Sequence, residues 1–151
     1  MQTRIKTPVE IEAMRKGGKV LAGVLYELEK VIQPGVTGEM IDRFTETYIR
    51  DHGMIPGFKG LYKFPATVCL AINHEVVHGI PRKNQVVKEG DKITVDCGVI
   101  YEGMYTDSAV TYCMGNVESS TRTFVKICQK ALYKGIAQVR PGNHLGDIGN
   151  A

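Results

Sequence analysis

Asp96 stands within Ile93-Thr94-Val95-Asp96-Cys97-Gly98-Val99-Ile100, a segment otherwise apolar enough to form a buried strand. A carboxylate in such a place is costly to desolvate unless something cationic compensates. Eleven residues later Asp107 lies in Tyr105-Thr106-Asp107-Ser108-Ala109-Val110, beyond a turn around Tyr101, Glu102 and Gly103. With an even number of residues in that loop, the two aspartates fall on one sheet face, directly opposite or one diagonal step apart. Like charges so placed repel, and the pair is stable at neutral pH when one carboxyl keeps a proton or a divalent metal lies between them. Spacing alone leaves a second arrangement open, with Asp107 on the solvated side of an amphipathic strand and Asp96 facing a turn and bonded to backbone.

His74-Glu75-Val76-Val77-His78 matches HExxH, which on a helix sets two histidines one turn apart around zinc with the glutamate as general base. Here Val76 and Val77 are β-branched, Gly79 and Pro81 follow at once, and a strand-like run from Ala66 to Asn73 leads in, so no helix is expected to align the histidines. At most one of the two is expected to serve a site, and both could simply flank a surface turn. Phe58, Leu61, Tyr62, Phe64 and Cys69 form an apolar and aromatic group that fits either core or pocket. His144 and Asp147 suit the start of a helix, where the dipole favours a carboxylate, and no catalytic role is assigned to them.

Two helices precede these segments. Thr7-Pro8-Val9-Glu10 has the composition of a capping box with proline in the first turn, and Ile11, Met14, Gly18, Leu21, Leu25, Leu28 and Ile32 recur at spacings of three and four. A second helix is capped by Thr37, turns Met40, Ile41, Phe44, Tyr48 and Ile49 inward, and ends near Gly53. Residues 55–62 are expected to form an ordered loop with exposed aromatics. Strands are expected over Ala66–Asn73, Asp91–Ile100 and Met104–Met114, followed by a helix over Ser119–Val139 and the opening turn of another. This order predicts an α+β domain with helices on one face of a mainly antiparallel sheet.

The 151 residues suit one globular domain, and 19 Lys and Arg against 16 Asp and Glu leave a net charge of +3, too little to mark a nucleic-acid binder. Cys69, Cys97, Cys113 and Cys128 include no CxxC pair and are expected as free, buried thiols. No apolar run is long enough to span a bilayer and no secretion signal is evident, so a cytoplasmic location is expected.

Asn73-His74-Glu75-Val76-Val77-His78-Gly79-Ile80-Pro81, Lys88-Glu89-Gly90-Asp91, Val95-Asp96-Cys97-Gly98 and Tyr105-Thr106-Asp107-Ser108 together resemble the type I, bacterial-type methionine aminopeptidases. The resemblance runs from the helix at Thr7 to the Arg140-Pro141-Gly142 turn. It implies the pita-bread fold, two pseudo-symmetric α+β halves around a dinuclear metal site, with residues 1–151 as the N-terminal portion of that single catalytic domain. It further implies that Asp96 and Asp107 bind metal, Asp107 bridging two ions, and that His78 is catalytic and contacts the substrate. Phe58, Leu61, Phe64 and Cys69 would build part of a methionine pocket, together with His78. Two divalent ions (cobalt, manganese, iron or zinc) and a monovalent cation near Asn73 are the implied cofactors. The implied partners are the N-terminal methionine of nascent polypeptides and the ribosome, with no sequence-specific nucleic acid, no membrane, and a monomeric state.

The family pattern also contains a further histidine and two glutamates as ligands in a second half, whereas no histidine follows His144 here and no glutamate follows Glu118. The expectation is therefore that the 151 residues alone neither bind two metals tightly nor turn over, and that a sheet face is left apolar and exposed. Three other assignments compete: a non-catalytic pita-bread module binding peptides or partners, the proline-specific aminopeptidase and prolidase group, and a zincin. The intact aspartates favour an enzyme over the first.

Overall fold

Thr7 opens the first helix as its sequence dictates: its hydroxyl accepts from Glu10 N (3.3 Å) while the Glu10 carboxylate accepts from Thr7 N (2.8 Å). In the computed structural model, which describes residues 4–151, this helix, α1, spans Pro8–Val31. Its buried residues are Ala13, Gly17, Leu21, Val24, Leu25 and Leu28, so the stripe predicted through Ile11 and Met14 is displaced over the first turns, and Ile11 is exposed. Close approach explains the shift. A methyl group on Gly17 would lie 3.3 Å from the Thr106 hydroxyl oxygen and 3.6 Å from Tyr101 Cβ, so small residues let the helix settle onto the sheet.

Helix α2 spans Gly38–Asp51 with the Thr37 hydroxyl accepting from Met40 N (3.3 Å). Ile41, Thr45 and Ile49 are buried, Phe44 and Tyr48 pack at the margin of the core, and Met40 is exposed rather than inward. Buried Thr45 satisfies its hydroxyl by donating to Ile41 O (2.9 Å). From α2 the half-buried Asp42 carboxylate accepts from Thr67 N (2.7 Å) and Val68 N (3.0 Å), which pins the start of the strand at Val68. Burial there pushes the Asp42 carboxyl above its usual range, and the two backbone donors oppose that rise.

The sheet is antiparallel throughout and consists of β1 (Ile55–Pro56), β2 (Val68–Ile72), β3 (Lys92–Tyr101) and β4 (Met104–Cys113). β3 is central, with β4 along one edge and β2 and the short β1 sharing the other. β1 falls where a loop is predicted; its two residues, one of them proline, carry no strand signal of their own. β3 and β4 are joined by Glu102 and Gly103 at φ +48° and +75°, the two-residue turn with both φ positive that matches strand twist.

Strand alternation then sorts the side chains. Ile93, Val95, Cys97 and Val99 face the helices with Val68, Leu70 and Tyr112, and join Leu21, Val24, Leu25, Leu28, Ile41 and Ile49 in one core. Tyr112 donates from its hydroxyl to Leu25 O (2.6 Å) in this core, and burial pushes its phenol well above the ordinary range. Tyr112→Phe is expected to cost about 1 kcal/mol, since Leu25 O keeps its helical partner; urea unfolding measures it, with the slope unchanged.

The opposite face carries Cys69 and Ala71 of β2, Thr94, Asp96 and Gly98 of β3, and Asp107, Ala109 and Thr111 of β4. It is polar or small, not the apolar surface expected, because its alternate positions carry the side chains that meet in the cleft described below. These elements form one compact unit ending at Gly115. A second unit, Asn116–Ala151, holds α3 (Ser119–Ala137) and α4 (Leu145–Asn150), the latter begun by His144 N donating to the Asp147 carboxylate (2.7 Å). Large exposed apolar side chains collect on α3 instead: Phe124, Ile127, Leu132 and Ile136.

All four cysteines are free, as expected, but only Cys69 and Cys97 are buried. Among the described residues no helix is long and apolar enough to cross a membrane.

Candidate metal centre and substrate cleft

The β3–β4 register settles the aspartate geometry. Asp96 pairs with Ala109 and Asp107 with Gly98, so the carboxylates share the open face one diagonal step apart. Cys69 is the cross-strand partner of Asp96 on the other side. Beneath them the Thr94 and Thr111 hydroxyls, also cross-strand partners, are hydrogen-bonded at 2.9 Å.

Asp96 is pushed up to about 6, first by desolvation and then by the hydrogen bond and charge of Asp107, with His78 acting in the opposite direction. The Cys69 thiol is raised to about 11, again by burial and then by the two aspartates, so it is a neutral apolar wall rather than a thiolate.

Two segments wall the cleft above this floor. Residues 57–65 leave the sheet where Gly57 N donates to Gly98 O (2.8 Å) and fold on themselves through Gly60 N to Phe64 O (2.8 Å) and Leu61 N to Phe58 O (3.0 Å). The turn needs left-handed backbone at Gly60, Tyr62 and Lys63 (φ +88°, +48° and +66°), which sets Phe58, Leu61 and Phe64 along one side. Gly98 makes room for the Phe58 ring, because a methyl group there would stand 2.8 Å from a ring carbon. The second wall is the loop after β2, which brings His78 and Ile80 to the rim.

The resulting cleft of about 520 Å³ is lined by Phe58, Leu61, Phe64, Cys69, His78, Asp96 and Asp107, every residue singled out from sequence for pocket, catalysis or metal. Tyr62, which the sequence grouped with these aromatics as core or pocket, lines it too, and so do Lys63, Pro65 and Ile80, which were not foreseen. Ile80 and Pro65 were legible as neighbours of the motifs; the positive φ of Tyr62 and Lys63 was not, since neither residue type favours it.

Asn73 is not on the cleft. Its amide donates to Asp91 (2.8 Å) and its carbonyl oxygen accepts from Lys92 N (3.0 Å). His74 is also away from it, and the backbone over 73–80 is turn and loop, so the HExxH match has no helix and the zincin arrangement is absent.

Two carboxylates at the floor of a cleft are a hard oxygen donor set, and a divalent cation between them would offset both the desolvation and the neighbouring charge of Asp107 that raise Asp96. Among the described residues no group of three or more His, Cys, Asp or Glu gathers around a common point. The chain's own donors therefore fit one side of a metal site and do not enclose it.

Hard donors beside an apolar, aromatic pocket, on a helix-backed antiparallel sheet, have the layout of a metal-dependent hydrolase. The chain belongs to metallopeptidase family M24, whose sequence profile matches residues 12–151. It is 42% identical over 147 residues to a methionine aminopeptidase of Clostridium acetobutylicum, an alignment covering 97% of this chain and 59% of that protein. The crystal structure of the Thermotoga maritima methionine aminopeptidase superposes with a TM-score of 0.96 at 40% identity, over 99% of this chain and 60% of the other. A Xaa-Pro dipeptidase from Bacillus anthracis, 21% identical with a TM-score of 0.76 over 87% of this chain and 36% of its own, shares the fold alone. The fold is thus that of the pita-bread family, and the chain spans about three-fifths of the methionine aminopeptidases it matches.

Proposed function

We propose that this cleft serves the removal of N-terminal methionine from polypeptides, as part of a metal-dependent aminopeptidase. The observation that carries the proposal is the meeting of Asp96 and Asp107 on the floor of a cleft walled by Phe58, Leu61 and Phe64.

Asp96 and Asp107 would hold divalent metal, with further ligands supplied from outside these 151 residues. Metal bound there supplies Lewis-acid polarisation and activation of water near neutral pH. The chain's own groups do the rest. His78, exposed at the rim, donates a hydrogen bond to the substrate amide or to the oxyanion that develops from its carbonyl, a contact of a kind worth about 3 kcal/mol of barrier. Phe58, Leu61, Phe64 and the neutral Cys69 thiol receive an unbranched thioether side chain and exclude water from it. At about 520 Å³ the cleft has room for more than one residue of substrate.

Cobalt, manganese, iron and zinc all suit the donor set, with cellular supply selecting among them. A monovalent cation near Asn73 would draw on backbone carbonyls, because the Asn73 side chain is already committed to Asp91 and Lys92. The substrates are nascent chains in the cytoplasm, met at the ribosome by a monomeric enzyme.

Residue-by-residue NMR of the chain with zinc and Met-Ala-Ser or Val-Ala-Ser tests the assignment. Shifts at Phe58, Leu61, Phe64 and Cys69 with the methionine peptide alone are expected. Equal response to both peptides, or none at these residues, would refute methionine selection.

A further inference from the structure

The carboxylate of Glu75, the glutamate of the unused HExxH match, joins both ends of the loop that carries His78. Its Oε2 accepts from Ile72 N (2.8 Å) and from Gln85 Nε2 (3.0 Å), while Oε1 accepts from the Arg82 guanidinium (3.3 Å). Ile72 ends β2 and Arg82 and Gln85 lie just past the loop, so one side chain ties entry to exit. Gln85 is itself anchored, its carbonyl accepting from Gly38 N (2.8 Å) at the start of α2. Between these ties His78 adopts φ +56°, a left-handed backbone that is unfavourable for a non-glycine residue and survives only where the surroundings impose it. The loop tip has little packing to impose it, since Val76 and Val77 are 82% and 66% exposed. Other hydrogen bonds hold the base of the loop, from Asn73 N to Lys92 O (2.9 Å) and from Glu75 N to Ile72 O (3.1 Å), and beside His78 Leu70 N donates to Gly79 O (2.8 Å).

We propose that Glu75 is a positioning residue that clasps the ends of the 73–81 loop and thereby holds the His78 imidazole at the rim of the cleft, over Asp96 and Asp107. The inference rests on the metal-dependent reading of the cleft for its purpose, and on the hydrogen bonds above for its geometry.

Paramagnetic manganese(II), added in small amounts to the 151-residue chain, broadens the NMR signals of nearby groups even when it binds weakly. In the unaltered chain the amides of Cys69 and Ala109 and the His78 ring are expected to broaden, while the His52 ring, at the end of α2, does not. In Glu75→Ala the two amides broaden as before and the His78 ring falls to the level of His52. Glu75→Gln, which keeps an oxygen for Ile72 N, restores the His78 effect, and thermal midpoints of the three chains agree. A His78 ring broadened equally in Glu75→Ala overturns the proposal. Failure of the Cys69 and Ala109 amides to broaden in any chain would instead refute metal at the cleft. The clasp is then judged without metal by hydrogen exchange at the Leu70 amide. About tenfold faster exchange in Glu75→Ala supports the clasp and unchanged exchange overturns it.

Discussion

Asp96→Asn is expected to stabilise the metal-free chain at neutral pH while abolishing its response to divalent metal. The native Asp96 carboxyl, held at about 6 by burial and by Asp107, binds its proton more tightly than the unfolded chain does, at about 4. The stability tied to that proton is complete below pH ~4 and is lost as the pH rises through about 6, so above it the folded state carries two repelling carboxylates. Asparagine removes the repulsion at every pH. Urea unfolding of variant and parent should therefore agree near pH 4 and separate by about 1 kcal/mol at pH 7, a figure discounted from the full shift because the cleft is open to water. Added manganese should raise the midpoint of the parent and leave the variant unmoved. A variant less stable than the parent at pH 7 would mean that Asp96 is held by partners it does not have in this fold.

Gly79→Ala is the second large effect. The added methyl would run into the carbonyl oxygen of Leu70, in the middle of β2, and that strand is braced by five cross-strand pairs with β3 and cannot retreat. The loop must move instead, breaking the bond from Leu70 N to Gly79 O and carrying His78 off the rim. A loss of about 2–3 kcal/mol is expected, combining overpacking with the lost hydrogen bond. Chemical denaturation gives the cost, and faster hydrogen exchange at the Leu70 amide reports the broken bond to Gly79 O. A fully stable variant with that amide still protected would show that the close approach is relieved elsewhere.

Local rules carried much of the architecture. The Thr7 and Glu10 box, the Thr37 cap and the Asp147 contact at His144 each use residues within three positions of one another, and all three form as their sequence predicts. Alternation in Ile93–Val99 likewise placed Asp96 on the face opposite the core, and the Glu102-Gly103 turn made the register diagonal. What stayed hidden depends on partners distant in the chain. Ile11 has the right spacing for the buried stripe of α1, but only the approach of Thr106 and Tyr101 decides that Ala13 and Gly17 take that side. β1 exists because Ile100 and Val99 offer an edge, not because Ile55-Pro56 prefers to be a strand. In the cleft, residue type and spacing exposed the two aspartates as an anomaly in an apolar run, while convergence with Phe58 and His78 needed the left-handed turns at Tyr62 and His78, which no propensity favours. Glu75 shows the converse: a motif match drew attention to it for zinc chemistry, and the structure employs it in hydrogen bonds to Ile72, Arg82 and Gln85.

The most direct measurement is calorimetric titration of the metal-free chain with manganese(II) or cobalt(II) at pH 7.5, beside Asp96→Asn and Asp107→Asn. Weak binding in the parent, far from saturation at equal concentrations of ion and protein and lost in both variants, is the predicted result, because two carboxylates form only one side of the site. Tight uptake of two ions, or binding that survives both substitutions, would contradict the assignment of Asp96 and Asp107 as the ligands this chain supplies.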